Sequence, residues 1–186
     1  MIREKNLQEK LQEILQIFPC VMEDTLLLYM KKNLAVSNPS TALSRLIYNE
    51  RIYKDEYGYC YLIKGEKCSI NTACAFAVYQ RLIGKNNFYI DPAKYPFDYI
   101  ISADGRLYLL MDFAEDGISR LGYEQRQCHP EVPKEAEAMP IIMIINRSPE
   151  DIPISIRPVS CIIARVNFSA AEHKIRGINF YEEEIF

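Results

Sequence analysis

Tryptophan is absent from this chain, and histidine occurs only at His129 and His173. The six cysteines, at 20, 60, 68, 74, 128 and 161, include no Cys-x-x-Cys spacing. Zinc sites need several Cys/His ligands at fixed intervals, so the adjacent Cys128 and His129 carry little weight as ligands. A Gly-rich phosphate loop, a Gly-x-Ser-x-Gly elbow and a His-Glu-x-x-His helix are also missing, which removes the commonest nucleotide, acyl-transfer and metalloprotease signatures. Apolar runs such as 141–145 fall far short of the roughly eighteen residues of a membrane span, so no membrane partner is expected. The opening Met1-Ile2-Arg3-Glu4-Lys5-Asn6 is polar rather than leader-like. The expected compartment is therefore cytoplasmic, with the cysteines as reduced, mostly buried thiols.

What remains is enough to build a core. The chain has 186 residues, 49% of them hydrophobic, with thirteen Tyr and eight Phe, sufficient for one large domain or two small ones. Residues 1–64 hold nine Lys/Arg against eight Asp/Glu, and the rest hold thirteen against seventeen. Any basic face for nucleic acid must then be small and lie in the first third.

That third has a three-helix pattern. Leu7, Leu11, Ile14, Leu15 and Phe18 form one helical stripe, ended by Pro19. A second helix is expected over 23–32, with an acidic start (Glu23, Asp24) and a basic end (Lys31, Lys32) that suit the helix dipole. Asn38 as N-cap and Pro39 at the first helical position start the third. Its outer face is Thr41, Ser44, Arg45 and Tyr48. Strand, turn and strand follow, through Arg51 and Lys54, then Asp55-Glu56-Tyr57-Gly58, then 59–63. Three helices and a hairpin are the order of a winged helix-turn-helix, in which the third helix enters the major groove and the hairpin touches the backbone. The candidate DNA contacts are thus Thr41, Ser44, Arg45, Tyr48, Arg51 and Lys54. The same face can equally be solvated or bind protein, because phosphate neutralisation supplies most non-specific affinity and cations here are few.

Residues 65–67 read as a linker to a second domain over 65–186. Its first helix, capped by Asn71 and stopped by Gly84, is apolar over most of its circumference, which predicts packing on a sheet. Strands are expected at 88–90, 140–146, 160–166 and 175–181, with a helix over 115–127 and a loop over 128–138. Between them, Phe97 to Phe113 forms two apolar runs around Asp104-Gly105, a strong hairpin signal that sets Asp98 and Asp112 at the same end. Mixed helices and strands in this order indicate an α+β or α/β sheet with flanking helices.

A winged helix followed by Phe-Asp-Tyr-Ile-Ile, Leu-Tyr-Leu-Leu-Met-Asp-Phe and Ile-Ile-Met-Ile-Ile-Asn resembles the replication-relaxation type of bacterial mobile-element protein. The resemblance implies a restriction-endonuclease-like, PD-(D/E)XK-type mixed sheet after the winged helix. It would make Asp98 and Asp112 the carboxylates that hold Mg²⁺ in active enzymes. Pro96 sits one place early, and the lysine expected two places after Asp112 is Ala114, followed by Glu115 and Asp116. Arg120 or Arg126 would have to replace that lysine. Asp98 also has a structural alternative, a pairing with Arg120.

Three functions follow as expectations. The first is a non-enzymatic protein that binds duplex DNA, needs no cofactor or metal, and uses its second domain for homodimerisation or for docking a replication or conjugation protein. The second is a Mg²⁺-dependent nuclease using Asp98 and Asp112. The third is a protein-interaction adaptor that never meets DNA.

Overall fold

A computed structural model describes residues 4–83, 88–103, 105–126, 138–156 and 160–184. The chain is a mixed α+β protein that divides into two compact units, Met1–Asn86 and Asn87–Phe186. The boundary thus falls some twenty residues later than the linker at 65–67 suggested.

The first unit begins with α1 (Glu4–Ile17), β1 (Val21–Met22), α2 (Glu23–Lys32) and α3 (Pro39–Tyr48). It continues with β2 (Tyr53–Lys54), β3 (Tyr59–Tyr61) and α4 (Ile70–Leu82). The stripe on α1 is buried from Leu7 through Leu11, Ile14 and Leu15 to Phe18. On α3, the Asn38 side chain accepts the Thr41 N–H, the cap its sequence signals, and Leu43 and Leu46 turn inward. The three short strands form one antiparallel sheet in the order β1-β3-β2, with Val21 opposite Cys60 and Lys54 also opposite Cys60. In the β2–β3 turn, Asp55 Oδ1 accepts the N–H groups of Tyr57 and Tyr59, and Gly58 takes φ +84°, a backbone shape that glycine adopts without steric cost.

Helix α4 differs from expectation in two ways. Ser69 flanks its start, rather than Asn71; Gly84 lies outside the described residues. The helix, expected to open the second domain, belongs to the first unit and packs there against β1 and α2. Phe76 on α4 meets Phe18 edge-on at 5.3 Å and Tyr29 at 5.7 Å, and Tyr79 is also buried. Its apolar circumference is explained by a small helical core that surrounds it.

The cysteines also depart from expectation. Cys20, beside β1, is joined in a disulfide to Cys68, just before α4, while Cys60, Cys74 and Cys161 are buried and outside any disulfide. Cys128 and His129 lie outside the described residues.

The second unit is built on one six-stranded sheet of β4 (Phe88–Pro92), β5 (Tyr99–Ala103), β6 (Arg106–Asp112), β7 (Met139–Ile145), β8 (Ser160–Ser169) and β9 (Lys174–Glu184). Its strands lie in chain order, β4-β5-β6-β7-β8-β9. The β4–β5, β5–β6 and β8–β9 pairs are antiparallel, and β6–β7 and β7–β8 are parallel. Helix α5 (Gly117–Arg126) follows β6. Leu121 of α5 packs with Met111, Phe113, Ile142, Ile144, Ile152, Cys161 and Ile163 in a core on one face of the sheet. The hairpin is present as expected, with Tyr99 opposite Leu110 and Gly105 at φ +79°; Asp104 is outside the described residues. Among the described residues, no helix is long and apolar enough to cross a membrane.

Candidate functional site

Two places in the chain hold the candidate residues, one in each unit. In the second unit, Asp98 immediately precedes β5 and Asp112 ends β6. The register brings them side by side: the Asp98 N–H donates to Leu110 O at 2.9 Å, and Asp98 Oδ2 accepts the Asp112 N–H at 2.8 Å. Its other carboxylate oxygen, Oδ1, accepts from Arg120 Nη2 at 2.8 Å.

Arg120 is the organising group. It extends from α5 and is buried, donating Nε to Pro96 O at 2.8 Å and Nη1 to Asp112 O at 3.3 Å, while Nη2 also reaches Pro96 O. The Tyr95 ring lies 5.9 Å from its guanidinium, next to the cis Tyr95–Pro96 bond. Helix α5 can start this close because Gly117 has no side chain; a Cβ there would enter the Phe113 ring. The fork therefore ties the approach to β5, the end of β6 and α5 into one latch. A guanidinium has five donors in a rigid plane and suits such a multi-point clasp better than an ammonium would.

This arrangement gives Asp98 a structural role. A hard cation is held by carboxylate lone pairs, and each Asp98 oxygen already spends one on a hydrogen bond from the protein. Arg120 does approach the acidic pair, but as a partner bonded directly to Asp98, the structural alternative seen in the sequence. The Arg126 side chain lies outside the described residues. Ala114 stands where a nuclease lysine would, followed by the Ala114–Gly117 turn. Among the described residues, no three His, Cys, Asp or Glu side chains converge to hold a metal.

In the first unit, Thr41, Ser44, Arg45 and Tyr48 are all exposed along one side of α3, and Tyr48 is 87% exposed. At the end of the helix, its ring and hydroxyl are open to solvent. Arg51 is exposed beyond the helix, and neither it nor Arg45 has an ion pair among the described residues. Lys54 is different. Its Nζ lies 3.1 Å from both carboxylate oxygens of Glu23 at the start of α2.

The sequence reading missed this pair, because residues 31 apart in the chain carry no periodic signal. It also missed the Tyr53–Tyr61 stack across β2 and β3, with centroids 6.2 Å apart, although alternation along a short hairpin could have suggested it. Of the six candidate DNA contacts, five are thus exposed with no ion pair, and Lys54 is held by Glu23. No protein-family profile, curated protein or solved structure matches the chain.

Proposed function

We propose that this is a non-enzymatic DNA-associated protein whose first unit is a winged helix. In this reading α3 lies against duplex DNA and the second unit is a nuclease-like scaffold serving assembly. The observation that carries it is the exposed stripe of Thr41, Ser44, Arg45 and Tyr48 on the third helix. Support comes from the element order α1-β1-α2-α3-β2-β3 and the sheet order β1-β3-β2, with a two-stranded hairpin after the third helix as in a winged helix-turn-helix. Hydroxyl, guanidinium and phenol groups on one face suit phosphate and base-edge contacts together. The bacterial mobile-element context rests on the family resemblance alone.

A duplex titration at about 50 mM salt tests the reading, since electrostatic attraction is strong there. Micromolar binding that weakens in Arg45→Ala is expected. No binding at that salt would overturn it.

The adaptor reading is favoured by one specific observation, the Lys54–Glu23 ion pair, which leaves the face with two unpaired cations, Arg45 and Arg51. If duplex DNA fails to bind, the exposed Tyr48 becomes the centre of a protein contact instead. The nuclease alternative is the weakest of the three, because Ala114 stands where the motif lysine would and Asp98 is already bonded to Arg120 and the Asp112 N–H.

A further inference from the structure

We infer that two copies of this chain associate through the outer edge of β9, antiparallel, about a two-fold axis at Asn179. This gives the assembly role proposed for the second unit a specific surface, and it stands independently of DNA contact.

Strand β9 runs eleven residues, Lys174–Glu184, at the end of the sheet, and no described strand pairs with its outer side. Strands are usually about five or six residues long, and long open edges are normally shortened or covered, since their N–H and C=O groups invite pairing. None of its described side chains is buried, and Phe180 and Tyr181 expose 39% and 38% of their surface on opposite faces.

Its sequence, Lys-Ile-Arg-Gly-Ile-Asn-Phe-Tyr-Glu-Glu-Glu, is complementary to itself only when reversed. A parallel copy would set basic start against basic start and acidic end against acidic end. An antiparallel copy centred on residue 179 sets Arg176 opposite Glu182 and Gly177 opposite Tyr181. It also sets Ile178 opposite Phe180, and Asn179 opposite itself; residue 174 falls opposite 184.

Each pairing has a physical rationale. Opposite charges and apolar pairs stabilise directly facing positions, an aromatic covers the gap left by a facing glycine, and two amides can exchange hydrogen bonds. An irregularity in the β8–β9 register falls beside Arg176, confining the regular ladder to Gly177 onward and leaving the charges as flanking clamps. In the single chain Arg176 bonds Glu172 at 2.6 Å, both groups well exposed, a surface pair of small worth that Glu182 of a second copy can replace. The opposite edge, β4, has five residues and ends at Pro92, so pairing through β9 closes at two copies rather than extending.

The test uses the full chain, without DNA. Light scattering at about 100 μM should give twice the monomer mass, a concentration that reveals even a weak edge contact. Arg176→Glu alone and Glu182→Arg alone should each raise the dissociation constant at least ~10-fold, by opposing like charges twice across the axis. The double swap should restore it. In a Cys128→Ser background, oxidised Asn179→Cys should cross-link to a dimer, because facing Cα atoms about 4.5–5.5 Å apart suit a disulfide. Arg176→Cys should not, its own counterpart lying roughly 20 Å along the strand. A monomer at that concentration overturns the inference, as does a double swap that stays dissociated or cross-linking at 176 instead of 179. If a charge-reversed variant misfolds, the Asn179→Cys cross-link decides alone. A failed duplex titration leaves these results untouched, and they leave it untouched.

Discussion

Asp98 Oδ2 accepts the main-chain N–H of Asp112 at 2.8 Å, so one aspartate of the pair clamps the backbone of the other. Its second oxygen meets buried Arg120, and the three residues together close the end of the hairpin.

This latch should be visible in stability. Asp98→Ala leaves the Arg120 guanidinium buried with only carbonyl partners. Removing one member of a buried pair costs several kcal/mol, but Asp98 is 35% exposed on its side chain. A loss of about 1–3 kcal/mol is expected for the second unit. Asp112→Asn keeps the N–H that Asp98 binds and should cost less. Urea unfolding of the two variants checks this, and equal losses would mean that the clamp is not what holds the hairpin.

The Cys20–Cys68 disulfide closes a segment with a sequence separation of 48. Loop-closure entropy for a segment that long corresponds to roughly 4 kcal/mol, with measured effects commonly about 2–5 kcal/mol. Cys20→Ser or Cys68→Ser, unfolded without reductant, should therefore lower the stability of the first unit by about 2–4 kcal/mol. A reductant should do the same to the wild type and nothing to either variant. Mass spectrometry of the intact chain reports the bond directly.

How much of this was legible depends on the range of the interaction. Helix α3 was readable because its signals are local: Asn38 caps it, Pro39 opens it, and Leu43 and Leu46 repeat on one face. The hairpin placed Asp98 beside Asp112 for the same reason, an Asp-Gly turn fixing the register of its arms. Strand β1 was not readable, since Val21 and Met22 are strand only because Cys60 and Tyr59 lie beside them. The apolar surface of α4 announced burial but could not say by what, and the partners proved to be Phe18 and Tyr29. The disulfide and the Lys54–Glu23 pair likewise join residues that only tertiary structure brings together.

Alkaline pH should loosen the first unit. Burial pushes the Cys60 thiol up to about 12 from an ordinary 9.0, with Glu23 adding to the rise. Burial raises Tyr29 to about 12 from 10.0, with Glu13 adding. Both groups are neutral when protonated, and their folded values lie above their unfolded ones. Their contribution to stability is therefore fully present below the ordinary values of 9.0 and 10.0 and is lost as pH rises toward 12. Urea midpoints should hold steady up to about pH 9 and then fall, less steeply in Tyr29→Phe. Iodoacetamide should spare Cys60 at about pH 8.5 in the folded chain, because the thiolate is the reactive form.

Salt dependence gives the sharpest check on the α3 face. Each phosphate neutralised on duplex DNA contributes about −0.9 to the slope of log K against log salt. Arg45 and Arg51 are unpaired, whereas Lys54 is held by Glu23, so the expected slope is about −2. Glu23→Gln should release Lys54 and steepen the slope by about 1 without altering α3. Arg45→Ala should make it shallower by the same amount, while Tyr48→Ala should weaken binding and leave the slope unchanged, because a ring neutralises no phosphate. A steep slope of about −5 or more would require cations outside this face, and the contact would have to be sought elsewhere on the chain.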